Sequence, residues 1–265
     1  MTSPVDARGT LQPRVLVGAT FVTGAASRAS LPPPGPPEIA FAGRSNAGKS
    51  SAINVLAMRT RLAFASREPG RTRQINFFQL RSGGLVADLP GYGYAAVSRA
   101  MKESWQDFLW EYVTTRSTLI GLVLVCDARH GLKQADVDVL RPFLPSQRPV
   151  LVLATKSDKL NVAERKRAVM QIRNRIAQNF DDVDRIVTVV GFSATARIGL
   201  IEADDVLADW LDLSPRLAPA ARFGGLPART TASLGRRVRR ANEEKGPDVK
   251  GSDARPLRKR PKPAK

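Results

Sequence analysis

Residues 38–58 read EIAFAGRSNAGKSSAINVLAM. An apolar stretch, Glu38–Ala42, reads as a short strand entering a glycine-rich turn, and Lys49–Met58 reads as a helix leaving it. Between them, Gly43-Arg44-Ser45-Asn46-Ala47-Gly48-Lys49-Ser50 fits the G-x-x-x-x-G-K-S/T pattern of a phosphate-cradling loop. The glycines let backbone N–H groups turn inward around phosphates. Lys49 can reach the β and γ oxygens, which gives it a catalytic role, and the Ser50 hydroxyl can ligate Mg²⁺. The helix N-terminus adds partial positive charge.

Outward from this loop, strands and helices alternate. Ile75–Arg81 and Leu85–Asp88 read as strands joined by the turn Ser82-Gly83-Gly84. Arg99–Thr115 has helical periodicity, with Trp105, Phe108, Leu109 and Tyr112 on one face. Leu119–Cys126 and Val150–Ala154 are almost continuous apolar runs, as expected of buried parallel strands. Ala163–Asn179 reads as a charged amphipathic helix, Ile186–Val190 as a last strand and Leu200–Leu211 as a closing helix. Upstream, Val15–Thr23 reads as a short strand, followed by the proline-rich connector LPPPGPPE. The pattern predicts an α/β fold of the P-loop nucleotidase class: a mostly parallel, doubly wound sheet with helices on both faces. The expected organisation is an N-terminal segment 1–37, a nucleotide-binding domain 38–213 and a basic extension 214–265 without periodic apolar pattern, read as disordered in isolation.

Three further stretches sit at expected strand ends, where ligands bind in such sheets. Asp88-Leu89-Pro90-Gly91 supplies an acid that can hold Mg²⁺ through water and a glycine amide, read as catalytic, that can sense a γ-phosphate. Thr155-Lys156-Ser157-Asp158 supplies a carboxylate that can accept hydrogen bonds from both guanine N1–H and N2–H₂. Adenine lacks those donors, so Asp158 points to GTP and GDP over ATP. The Lys156 stem can lie across base and ribose. Phe192-Ser193-Ala194 can offer backbone N–H groups to guanine O6. Within Pro69-Gly70-Arg71-Thr72-Arg73-Gln74, Thr72 can add a hydroxyl to Mg²⁺ and an N–H to the γ-phosphate only while that phosphate is present. That behaviour would make the loop a catalytic order–disorder switch. D-x-x-G alone is weak, but the ordered series is far more specific than any member.

At these residues the chain resembles the EngB (YihA-like) GTPases, bacterial relatives of Era and EngA in the TrmE-Era-EngA-EngB-septin-like superfamily. The likeness spans roughly residues 21–211 and is carried by EIAFAGRSNAGKSSAIN, PGRTRQINFFQL, DLPGYGYA, CDARHGLKQAD and TKSDKL. Glu68 stands where the family usually has threonine, and Ala47 where it usually has valine. The resemblance implies a single G domain, Mg²⁺-dependent GTP binding and hydrolysis, a role in large-ribosomal-subunit assembly, and a requirement in cell division and septation.

The bulk numbers agree with a partner that is a polyanion. Lys and Arg total 42 against 24 Asp and Glu, a net charge of +18. Of these, fifteen basic and four acidic residues follow Leu213, so the excess is concentrated at the C-terminus. Long basic arms attract phosphate backbones without needing a fold, which points to a nucleic acid, with a solubilising tail as the bland alternative; the family resemblance implies that the nucleic acid is rRNA. The 43% hydrophobic fraction suits a globular core. No apolar run reaches the ~20 residues of a membrane span, no signal peptide is evident, and the one cysteine, Cys126, forms no intrachain disulfide. A cytoplasmic monomer without membrane attachment is the expectation.

Tyr92 follows Gly91 where many GTPases place a water-orienting glutamine, so slow intrinsic hydrolysis, accelerated by a partner or an ion, is expected. Asn46 occupies the position at which some Era-like relatives coordinate K⁺, which raises the expectation of K⁺ stimulation. His130 lacks an obvious nucleophile or metal partner and reads as a loop contact or a partner surface. Cys126 reads as a small core residue. The competing reading is a nucleotide-stabilised rRNA-binding module whose hydrolysis is incidental.

Overall fold

A computed structural model describes residues 14–64, 74–93 and 99–213. Seven strands form one sheet: β1 (Thr20–Ala25), β2 (Glu38–Gly43), β3 (Ile75–Gln79), β4 (Leu85–Asp88), β5 (Leu119–Asp127), β6 (Val150–Thr155) and β7 (Val187–Gly191). Their spatial order is β1-β3-β4-β2-β5-β6-β7. β3 is antiparallel to both neighbours, and every other pairing is parallel. The strand order reverses at β2, so the loop leaving β2 opens at the topological switch point.

Five helices cover the sheet: α1 (Lys49–Leu56), α2 (Arg99–Thr115), α3 (Gln134–Phe143), α4 (Val162–Ala177) and α5 (Leu200–Leu213). Strand alternation decides which side each residue feeds. Ala40, Ala42, Leu122, Leu124 and Val152 face Tyr112 and Val113 of α2, Leu140 and Phe143 of α3, and Ile172 and Ile176 of α4. Ile39, Phe41, Val123, Val125 and Leu153 face Ile53 and Leu56 of α1 and Leu207 and Trp210 of α5. The sheet is thus doubly wound, as the sequence predicts. Gly121 is needed beneath Trp210, because a Cβ there would lie 2.5 Å from the indole.

Two expectations are corrected. The first strand is Thr20–Ala25 rather than Val15–Thr23. Val15, Leu16 and Ala19 are buried ahead of it, and the Asp204 carboxylate of α5 accepts hydrogen bonds from the Arg14 and Val15 N–H groups at 2.9 Å. Helix α3 lies where no element is expected. It forms because Asp136 caps its first turn and Val137, Leu140 and Phe143 are fully buried along one side. Other element ends move by at most two residues. Among the described residues, no helix is long and apolar enough to cross a membrane.

Between α2 and β2 lies a buried polar knot. The fully buried Glu38 carboxylate accepts hydrogen bonds from Tyr112 Oη at 2.8 Å, Thr118 Oγ1 at 2.7 Å, and Arg116 Nε at 3.0 Å and Nη2 at 2.5 Å. Arg148 closes the same helix end, donating to the carbonyls of Val113 at 2.6 Å and Leu119 at 3.0 Å, with its guanidinium 4.4 Å from the Phe143 ring centre.

Candidate functional site

The loop from Gly43 to Ser50 starts at the end of β2 and runs into the first turn of α1. Two residues turn it through left-handed backbone, Asn46 at φ 65° and Gly48 at φ 96°. Ala47 N–H donates to the Arg44 carbonyl at 3.0 Å. Gly43 admits no side chain, because a Cβ would sit 2.8 Å from the Val125 carbonyl oxygen. Lys49 Nζ forms an ion pair and hydrogen bond with Asp88 Oδ1. Burial pushes the Asp88 carboxyl above its ordinary value, and the Lys49 charge opposes that shift. Ser50 lies in the first turn of α1, next in sequence to Lys49.

The loop after β4 lies directly against the phosphate loop. The Leu89 N–H donates to the Phe41 carbonyl at 2.9 Å, and the Tyr92 carbonyl accepts the Ser45 N–H at 3.0 Å. Arg44 and Tyr92 form an isolated parallel bridge. Gly91 approaches so closely that a Cβ would lie 2.9 Å from Ser45 Oγ. The Tyr92 side chain turns away from the loop, and its hydroxyl donates to Asp136 Oδ1 of α3 at 2.7 Å. Burial raises the Tyr92 phenol well above its usual value, and the neighbouring Asp136 carboxylate raises it further.

Residues 155–158 and 192–194 close the other end. The Thr155 hydroxyl shares its one hydrogen between the Ala47 carbonyl at 2.5 Å and Cys126 O at 2.9 Å, which ties β6 to the phosphate loop. Lys156 Nζ donates to Asn46 O at 2.8 Å and pairs with Asp127 Oδ2 at 3.1 Å. Asp158 Oδ1 accepts the Ser193 hydroxyl at 2.7 Å, and that bond holds its carboxyl below the usual range. Ser157 N–H donates to Phe192 O at 3.1 Å, while Phe192 N–H donates to Ala154 O at 2.8 Å and Ser193 N–H to Ile198 O at 3.0 Å, so the Phe192 and Ser193 N–H groups are taken within the protein rather than offered to guanine O6 as expected. Ala194 follows, partly buried.

The two ends, one suited to phosphate and one to a base, are therefore joined by Thr155–Ala47 and Lys156–Asn46. Pro90 borders a cavity under the Asp88–Gly91 loop. Gln74 reaches this region only indirectly: its Nε2 donates to Asn76 Oδ1 at 2.9 Å, and Asn76 in turn bonds Asp88. Gly70, Arg71, Thr72 and Arg73 lie outside the described residues. Two acids that sequence motifs do not assign join the site. Asp127, at the end of β5, anchors both Lys156 and Arg129, the latter at 2.7 Å from its Oδ2. Burial raises its carboxyl, but the hydrogen bonds from Arg129 and Lys156 outweigh burial and hold it far below the usual range. Asp136 is the other. Both fall within residues 126–136, the stretch CDARHGLKQAD, which is the signal that could have found them.

A strand–phosphate loop–helix at the switch point, an acidic loop beside it and an aspartate-tipped base end define a P-loop GTPase. A family model described as a 50S ribosome-binding GTPase matches residues 38–156. The probable GTP-binding protein EngB of Azoarcus sp. is 46% identical over 79% of this chain and 96% of its own. That of Bordetella pertussis is 46% identical over 76% and 97%. A crystal structure of a probable GTP-binding protein EngB superposes with a TM-score of 0.53 at 21% identity, covering 67% of this chain and all of that one. Era bound to MgGDPNP and a stretch of 16S ribosomal RNA superposes at 0.50 and 21%, over 66% of this chain and 56% of Era. The chain belongs to the EngB family of GTP-binding proteins, and it is a GTPase.

Proposed function

We propose that the protein binds GTP with Mg²⁺ through residues 43–50, Asp88–Gly91, Thr155–Asp158 and Phe192–Ala194, together with residues 70–74, and that in this state it docks on a precursor of the large ribosomal subunit. The observation that carries the nucleotide reading is the double tie, Thr155–Ala47 and Lys156–Asn46, which holds a phosphate end and a base end at one fixed separation. Mg²⁺ fits the donors that are described: the buried Asp88 carboxylate, paired with Lys49, and the Ser50 hydroxyl in the first turn of α1 are hard oxygens. The ion would neutralise charge developing on the transferred phosphate. Lys49 would hold the β and γ oxygens, and the Gly91 amide would meet the γ-phosphate. Because the Tyr92 hydroxyl is committed to Asp136, Tyr92 does not orient the attacking water in the place of a glutamine, which supports slow turnover until a partner or an ion completes the site. Asn46, exposed and left-handed at φ 65°, is the residue through which K⁺ would act. Equal turnover in NaCl and KCl would remove that role.

The family model's description and the +18 charge support the ribosomal partner. A requirement in cell division would follow from failed subunit assembly. The test is co-sedimentation with purified large-subunit precursors in the cytoplasmic salt range. Binding with a non-hydrolysable GTP analogue, lost with GDP and weakened by added salt, is expected. Binding indifferent to nucleotide, or directed to small subunits, would overturn the proposal.

A further inference from the structure

Asp136 belongs to no nucleotide motif, yet it is fully buried at the first turn of α3 and is joined to the site. Its Oδ2 accepts the Lys133 N–H at 2.8 Å, and its Oδ1 accepts the Tyr92 hydroxyl at 2.7 Å. Hydrogen bonds to an ionised acceptor are short and strong, so this one fixes the phenol firmly. On its main-chain side Tyr92 is held against the phosphate loop by the Ser45 N–H and, at 3.4 Å, by the Gly43 carbonyl. It stands between Gly91, which has no room for a side chain, and Gly93 at φ +85°. Beneath it a cavity of about 260 Å³, lined by Leu89, Pro90, Tyr92, Trp110, Val113 and Val139 among others, leaves the loop without tight packing on that side. On the opposite side Gly91 rests against Ser45, so its position is set by that one contact together with the two ends of Tyr92.

We propose that Asp136 is a positioning residue for GTP: through the Tyr92 hydroxyl it holds the Gly91 backbone where its N–H meets the γ-phosphate. The proposal rests on the reading of Gly91 as a γ-phosphate contact. It also gives Tyr92 a role other than that of the missing glutamine. GDP has no γ-phosphate, so its binding is indifferent to where Gly91 sits.

The test uses the full chain and measures affinities for fluorescent GDP and a fluorescent non-hydrolysable GTP analogue, with single-turnover hydrolysis. Tyr92→Phe removes one oxygen and retains the ring. The analogue is expected to bind about tenfold more weakly, the cost of one hydrogen bond to a charged group, while GDP affinity stays unchanged. Asp136→Asn should lower the GTP-to-GDP affinity ratio in the same direction, and the double variant should be no worse than the more damaging single one. A ratio unchanged in Tyr92→Phe, or parallel losses for both nucleotides, would overturn the proposal and leave the pair a structural contact. Gly91→Ala separates the two levels of the claim. If it leaves the ratio at the wild-type value, the γ-phosphate reading of Gly91 falls and the proposal with it. If it collapses the ratio while Tyr92→Phe does not, only the role of Asp136 falls.

Discussion

At the scale of single residues, the site divides by how burial and partners set its carboxylates. Asp158 and Asp127 are held below the ordinary range by Ser193 and by Arg129 with Lys156, whereas burial raises Asp88 and Asp136. A carboxylate with a depressed value contributes above its ordinary value of ~3.9 and loses that contribution only as pH falls through the lower folded one. A raised carboxylate protonates earlier on acidification. Between neutral and more acidic pH, GTP affinity should therefore weaken as Asp88 takes up protons ahead of Asp158, while preference for guanine over adenine nucleotides persists. Competition binding at neutral and at acidic pH checks this, and parallel loss of both properties would contradict it. Asp127→Ala should weaken GDP and GTP alike by roughly five- to tenfold, the worth of one charged hydrogen bond, because Lys156 would retain only Asn46 as its anchor. Titration calorimetry with each nucleotide would measure it. The phosphate loop was legible because its contacts are local and its spacing is fixed by backbone geometry. The Tyr92–Asp136 pair spans 44 residues, and no periodicity encodes a bond of that separation.

Elements were legible where pattern and burial coincide. β5 and β6 are apolar up to their last residues, Asp127 and Thr155, and buried apart from partly exposed positions in β5, so their runs announce them. α3 does not announce itself, since Pro142 lies within it and breaks the helical signal near its end. β1 misleads for the opposite reason: Val15, Leu16 and Ala19 are buried ahead of the strand, so the apolar pattern begins before the strand does. The polar knot at Glu38 was invisible, because a lone acid at a strand start carries no signal until α2 folds over it. Its energetics are nonetheless definite. Arg116→Leu would leave a buried carboxylate without its charged partner and should cost about 3–5 kcal/mol, whereas exposed substitutions on α4 such as Arg167→Ala should cost under about 0.5 kcal/mol. Urea unfolding of both variants would read the difference. A loss at Arg116 no larger than that at Arg167 would mean that the knot does not hold α2.

For the whole molecule, composition spoke about partners and little about shape. The basic excess sits largely after Leu213, and the structure of that segment lies outside the described residues. The proposed rRNA contact gives this basic segment, residues 214–265, the task of neutralising RNA phosphates. Removing it should leave GTP hydrolysis unchanged and reduce the salt dependence of rRNA binding, by about 0.7–0.9 in log–log slope for each phosphate that the arm neutralises. Filter binding across a KCl series would show this, and an unchanged slope would assign RNA binding to the folded part. The central claim concerns the folded part itself: that Asp158 selects guanine at the end of a site whose other end holds phosphate. The most direct measurement is binding of fluorescent GTP and ATP in Mg²⁺ buffer by the wild type and by Asp158→Ala. Preference for GTP, abolished by the substitution, is expected. Equal binding of ATP by the wild type, or a preference that survives the substitution, would contradict the assignment of residues 155–158 as the base-reading motif.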